Sequence, residues 1–360
     1  MIEEFSYNYT AKIDAELNNA PPKFLNAIES ITTGNIENSI SILRNLIPEY
    51  EQTLDYWLGT VYCCYGYCLN ILGYWKEALE NAERGEKYGL SLIGYWYYYS
   101  VMVNASNYVD NIDKAKQYVD EAVEFYRKKK SGENVSYFLE SKANIYKQIA
   151  YGFSNDLTEF EEAKKYIIEA IYALCESIYI VRDGWEKLSK ELEGLSNIAA
   201  RVGLTRKDLG ELNNFQSIQD IISPYFDDKI LRMKTVAQNH NLAINAIKAG
   251  NRDLAVKHYE FCLTKLNEKD QETMAMRVFI LYQLGVCLLI LHNLGNTKSI
   301  VQLNTTQKNS VKRIQKLWTE AMEFYEKLSR DTINSFNQRF PPGLDSAIKN
   351  IRNDFIMRIN

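Results

Sequence analysis

The sequence predicts an all-α fold, and three observations carry that reading. Only six prolines occur in 360 residues, and the longest stretches without proline or glycine suit helices. The seventeen glycines fall mostly between apolar periodic segments, where they read as helix stops. Hydrophobic residues form 46% of the chain and charged residues 24%, which is a globular rather than a disordered composition.

Taken in order, the chain breaks into pairs of helices. Gly34-Asn35-Ile36-Glu37-Asn38-Ser39-Ile40 reads as a turn into a helix with Ser39 at a small position. Tyr62, Tyr65, Gly66 and Leu69 lay out a helix to about Leu72; Gly73 ends it, and a second starts near Trp75 with Ala78, Leu79 and Ala82. Gly66 and Ala78 are the small residues that let the two approach, because in packed interiors even one methylene is felt. A helix through Tyr99 and Met102 precedes one with Asp113, Lys114, Ala115, Val119 and Ala122. Tyr146, Ile149, Ala150 and Phe153 precede Ala163, Ile167 and Ala170. Gly250-Asn251-Arg252-Asp253-Leu254-Ala255-Val256, followed by Tyr259 and Cys262, repeats the pattern, and Leu281, Leu284, Gly285 and Leu288 fit one more first helix.

Large and small residues in this order resemble the tetratricopeptide repeat, best at Gly73-Tyr74-Trp75-Lys76-Glu77-Ala78-Leu79. The small positions Ser39, Ala78, Ala115, Ala163 and Ala255 lie further apart than the family period of about 34 residues. The family proline after the second helix is essentially absent, so the repeats are irregular with longer connections. The resemblance covers about two-thirds of the chain and implies an α-solenoid of helix-turn-helix pairs, with repeats in residues 1–166 and 236–340.

Three segments fall outside the repeats. Within 167–235, apolar residues recur at Ile167, Ile171, Leu174, Ile178, Val181, Trp185, Leu188, Leu192, Leu195, Ala199 and Val202, a heptad seam. Its phase survives Gly184, which predicts one long central helix. The seam offers either internal packing, with Leu212, Phe215, Ile218 and Ile222 as partner helix, or a homodimer through 167–202. Gly203 ends the helix, and Thr205 with Asp208 reads as a capping box. A polar insertion occupies 293–309, and a helix resumes at Val311, Ile314, Leu317 and Trp318. After Pro341-Pro342-Gly343, residues 341–360 form an amphipathic capping helix with Leu344, Ile348, Ile351, Phe355 and Ile359.

Function follows partly from what is missing. Net charge is −4 with a pI near 5.7, without the basic excess of a nucleic-acid binder. Six cysteines sit in apolar helical patterns without CxxC spacing, and the first residues lack a signal-peptide pattern; a cytoplasmic chain with reduced thiols is expected. Val278–Leu291 is too short and interrupted for a membrane span and reads as a core helix. The His258/Cys262 and Cys64/Cys68 pairs have metal-ligand spacing but stand in apolar surroundings, and no phosphate loop or hydrolase motif occurs, so neither catalysis, metal nor cofactor is expected. A helix-turn-helix-like segment at 195–212, with Arg206 and Lys207 opening a recognition helix, keeps a transcriptional regulator as the alternative.

The feature that points to a partner is Gly94-Tyr95-Trp96-Tyr97-Tyr98-Tyr99, which puts aromatics on every face of one helix. In the family, first-helix residues between the core positions line a concave groove. The resemblance places there Tyr67 and Asn70, then Tyr97, Asn104 and Asn107, then Lys147, Gln148 and Tyr151, then His240 and Asn241. Tyrosine offers apolar area with a hydroxyl, and asparagine a donor with an acceptor, for a peptide or protein segment. The expected role is a non-enzymatic interaction scaffold.

Overall fold

In a computed structural model, the structure describes residues 8–109, 111–181, 185–210, 219–266, 270–294 and 303–358. Among the described residues every regular element is helical. In chain order these are α1 (Asn8–Leu17), α2 (Pro22–Thr32), α3 (Ile36–Thr53), α4 (Leu58–Ile71), α5 (Trp75–Tyr88), α6 (Leu92–Tyr108), α7 (Ile112–Lys128), α8 (Gly132–Phe153) and α9 (Phe160–Val181). They continue as α10 (Trp185–Arg201), α11 (Gln219–Phe226), α12 (Asp228–Lys248), α13 (Arg252–Lys265), α14 (Gln271–Leu291), α15 (Thr305–Tyr325), α16 (Arg330–Arg339), α17 (Gly343–Asn353) and α18 (Phe355–Arg358). The fold is all-α, as the sequence predicts.

The chain forms two compact units: Met1–Gly152 with Lys165–Leu192 and Glu211–Asp220, and Phe153–Lys164 with Glu193–Gly210 and Ile221–Asn360. Residues 167–235, expected as a segment of their own, are shared between them.

In the first unit α2 packs on α3, α4 on α5 and α6 on α7, the solenoid-type pairing expected. Ser39, Ala78 and Ala115 are fully buried where the pairs meet. A Cβ built on Gly66 would lie 2.8 Å from the Ala78 carbonyl oxygen, so glycine is what allows α4 to rest on α5. First helices of successive pairs run the same way. Thr60 near the start of α4 donates to Ser91 at the start of α6 (2.9 Å), and Tyr67 further along α4 meets the Tyr97 ring.

The long central helix is corrected. The heptad seam is divided between α9 and α10, and residues 182–184, which hold Gly184, lie outside the described residues. Ser177 on α9 hydrogen-bonds Ser136 near the start of α8, whereas Glu191 on α10 ion-pairs with Lys147 near its end. A continuous helix would carry Glu191 about 20 Å past Ser177 and away from Lys147. The seam is therefore carried by two helices and not by one. Among the described seam residues Ile167, Ile171, Leu174, Ile178, Leu192, Leu195, Ala199 and Val202 are buried within this one chain, in line with the internal packing the seam offers as one of its two readings, while Val181 is exposed. The expected partner-helix residues Leu212, Phe215 and Ile218 lie outside the described residues.

In the second unit α12 pairs with α13 and α14 with α15, and α16 and α17 close against α14. Ala255 is fully buried, and a Cβ on Gly285 would fall 2.0 Å from Trp318 Nε1, the largest fully buried side chain. By length and composition α14 could cross a membrane, but Ala275, Met276, Val278, Phe279, Ile280, Leu281, Leu284 and Leu288 are buried in this unit's core. Part of the expected polar insertion is helix: α15 starts at Thr305, where Asn304 and Gln307 bond reciprocally as a capping box. Residues 295–302 lie outside the described residues. The capping segment bears Leu344, Ile348 and Ile351 into the core, but it breaks at Asp354 into α17 and α18.

Where the alternative reading would place a recognition helix, Arg206–Gly210 forms a 3-10 turn. Asp208 accepts from both the backbone and hydroxyl of Thr205, and Asp228 accepts from the Arg206 backbone. Lys265 donates to the Gly203 carbonyl, so the turn after α10 is packed against α13.

Candidate partner-binding face

The five consecutive aromatics of α6 separate by direction. Tyr95 and Tyr99 meet Phe125, and Tyr98 meets Tyr118, all towards α7. Tyr97 turns into the core against α4 and is 4% exposed. Burial pushes its phenol well above the ordinary tyrosine range. Trp96 meets first helices on both sides: its ring lies 5.4 Å from Tyr67 on α4 and 5.7 Å from Tyr137 on α8. Tyr67 and Trp96 are half-buried and Tyr137 is exposed. An aromatic row therefore crosses α4, α6 and α8.

Asn70, Asn104 and Asn107 are half-buried along the same two first helices. Asn70 and Asn107 each keep a buried Oδ1 without a hydrogen-bond partner among the described residues. On α8, Tyr137, Ser141, Asn144 and Gln148 recur at helical spacing, and all but the half-buried Ser141 are exposed; Tyr151 continues the stripe. Neither α4 nor α6 contains an Asp, Glu, Lys or Arg, whereas their partners α5 and α7 are densely charged. The α4 and α6 part of the face is thus uncharged, whereas α8 brings Glu133 and Glu140 one turn either side of Tyr137.

Several expected site residues change role. Tyr97 is core, because at 4% exposure its ring has no area left for a partner. Lys147 is ion-paired with Glu191, which removes its cation from recognition. His240 and Asn241 belong to the second unit, where His240 packs between Tyr259 and Phe279 and burial lowers its pKa; Asn241 is exposed. Trp96 and Tyr137 were missed. The ring contacts that set them in one row link residues far apart in the chain.

Cys63, Cys68, Cys262 and His258 are buried against polar neighbours. Cys68 approaches Ser39, Cys63 the Ala82 carbonyl and Cys262 the Val236 carbonyl. Burial pushes the Cys262 thiol up to about 12, far from the thiolate that chemistry needs. His258 bonds Asn239 (2.9 Å) and is pushed down to about 4, first by burial and then by Arg201.

No family model matches the chain, and no curated protein sequence matches it. Among solved structures it aligns with the human IFIT1 dimer with m7Gppp-AAAA, at 11% identity and a TM-score of 0.21, over 88% of this chain and 74% of that one. A monomeric IFIT1 mutant with Gppp-AAAA aligns at 11% identity and a TM-score of 0.21, over 88% and 75%. TM-scores this low place neither architecture nor ligand.

Proposed function

We propose that the chain is a non-enzymatic, tetratricopeptide-like binding protein that takes a segment of a protein partner across the first helices of its first unit. The observation that supports this most is the aromatic row Tyr67–Trp96–Tyr137 on a face that includes half-buried asparagines. Aromatic anchors with low conformational entropy, set among polar groups, are what binding hot spots use. The absence of lysine and arginine from α4 and α6 suits protein rather than nucleic acid, whose phosphates call for those cations. Buried thiols fit a reducing, cytoplasmic setting.

The test is site-specific photo-cross-linking in the cell. A photoreactive phenylalanine analogue at Tyr137 is expected to capture a peptide segment, and the same analogue at Glu80, exposed on α5, is not. Capture of RNA at Tyr137, or equal capture at both positions, would overturn the reading.

A further inference from the structure

We infer that the segment this face takes carries an arginine, seated over Tyr137 between Glu133 and Glu140; the inference rests on the binding role proposed above. Three features of the face converge on that side chain. The first is the placement of acid. Glu133, Tyr137 and Glu140 fall on one stripe of α8, with Glu133 about 6 Å before the tyrosine and Glu140 about 4.5 Å after it along the helix axis. Glu133 and Tyr137 are exposed, and Glu133 has no ion pair among the described residues. Glu140 is half-buried and accepts from Ser177 Oγ (3.4 Å).

The second is the lack of a competing cation. No lysine or arginine occurs in α4 or α6. The two bases of α8 are already engaged, Lys142 with Asp120 and Glu169, and Lys147 with Glu191. Counter-charge at Glu133 is left for the segment to supply, and an acidic segment would meet like charge there. The third is the chemistry of the rings and amides. Tyr137 meets Trp96, which in turn meets Tyr67. Ring faces attract cations, and a planar guanidinium stacks on them while its fork binds a carboxylate. Lysine is a hydrated point charge with no plane to stack. Asn70 and Asn107 each add an unpartnered Oδ1, which is an acceptor, so the face selects for donors. One cation, unlike a row of them, leaves the affinity only weakly dependent on salt.

The test is selection of a random heptapeptide library, displayed on phage, against the intact chain. Arginine is expected to rise about threefold or more above its frequency in the unselected library, and further than lysine or glutamate. Glu133→Gln combined with Glu140→Gln should return arginine to its unselected frequency, and Tyr137→Ala should lose the selected peptides. Glu133 and Tyr137 are exposed, so Glu133→Gln and Tyr137→Ala should each keep the parental melting curve, which separates lost contact from lost fold. Arginine no more frequent than before selection, lysine or glutamate enriched as strongly, or enrichment kept in the doubly substituted chain would each overturn the inference. Peptides that need Tyr137 but show no arginine preference would sink the inference and leave the binding role standing; no peptide that needs Tyr137 would remove both.

Discussion

Replacing Tyr97 with alanine removes a phenol that is 4% exposed and packed on Tyr67, so the loss falls on folding. Chemical denaturation should show about 3–5 kcal/mol of destabilisation. Its neighbour Trp96 is only half-buried, between Tyr67 and Tyr137, and Trp96→Ala should cost partner binding with a smaller change in stability. If the two variants lose stability equally while binding is untouched, the assignment of faces is wrong. Sequence reading chose Tyr97 over Trp96 for a physical reason: when five successive residues are aromatic, hydrophobic periodicity carries no phase, and one residue is a 100° rotation. His258 offers a second test. Asn239 donates its amide to the Arg201 and Thr235 carbonyls, which leaves its Oδ1 to accept from His258 Nδ1–H. A further proton would charge a ring buried near Arg201. The folded pKa of about 4 lies below the ordinary value of about 6.5, so the neutral ring's stabilisation is whole above about pH 6.5 and is lost as pH falls towards about 4. The urea midpoint should fall between pH 7 and pH 5, and His258→Gln should flatten that fall. Equal slopes in both proteins would contradict it.

Helices show which parts of the pattern are stereochemically obligatory. The second helices α3, α7, α13 and α15 each start on an asparagine, at Asn35, Asn111, Asn251 and Asn304, whose side chain accepts from the backbone three residues on. The α5 helix starts on Tyr74 instead, with no side-chain cap. Tyr74→Asn should therefore stabilise the chain by about 0.5–1 kcal/mol in thermal or urea denaturation; a destabilised variant would show that the exposed Tyr74 ring matters more than the cap. Gly285→Ala places a methyl against the buried Trp318 indole and should cost about 1–3 kcal/mol, with unchanged stability as the contrary result. These small positions were legible because close helix approach leaves only one size of side chain. The division of the seam between α9 and α10 was not legible, because two successive helices whose buried stripes keep one heptad phase read in sequence as a single helix.

Across the molecule, charge is distributed by role. A chain of net charge −4 keeps α4 and α6 neutral and places its acids and bases on α5 and α7. That segregation was present in the sequence, but it becomes a property of a surface only once the first helices are seen side by side. On the proposed reading the face of α4, α6 and α8 binds its partner through rings and amides. The most direct measurement of this is the salt dependence of the partner segment's affinity for the intact chain. The account predicts a change of less than about twofold between about 50 and about 200 mM salt; a fall of about tenfold or more, as several phosphate or carboxylate contacts would give, contradicts it.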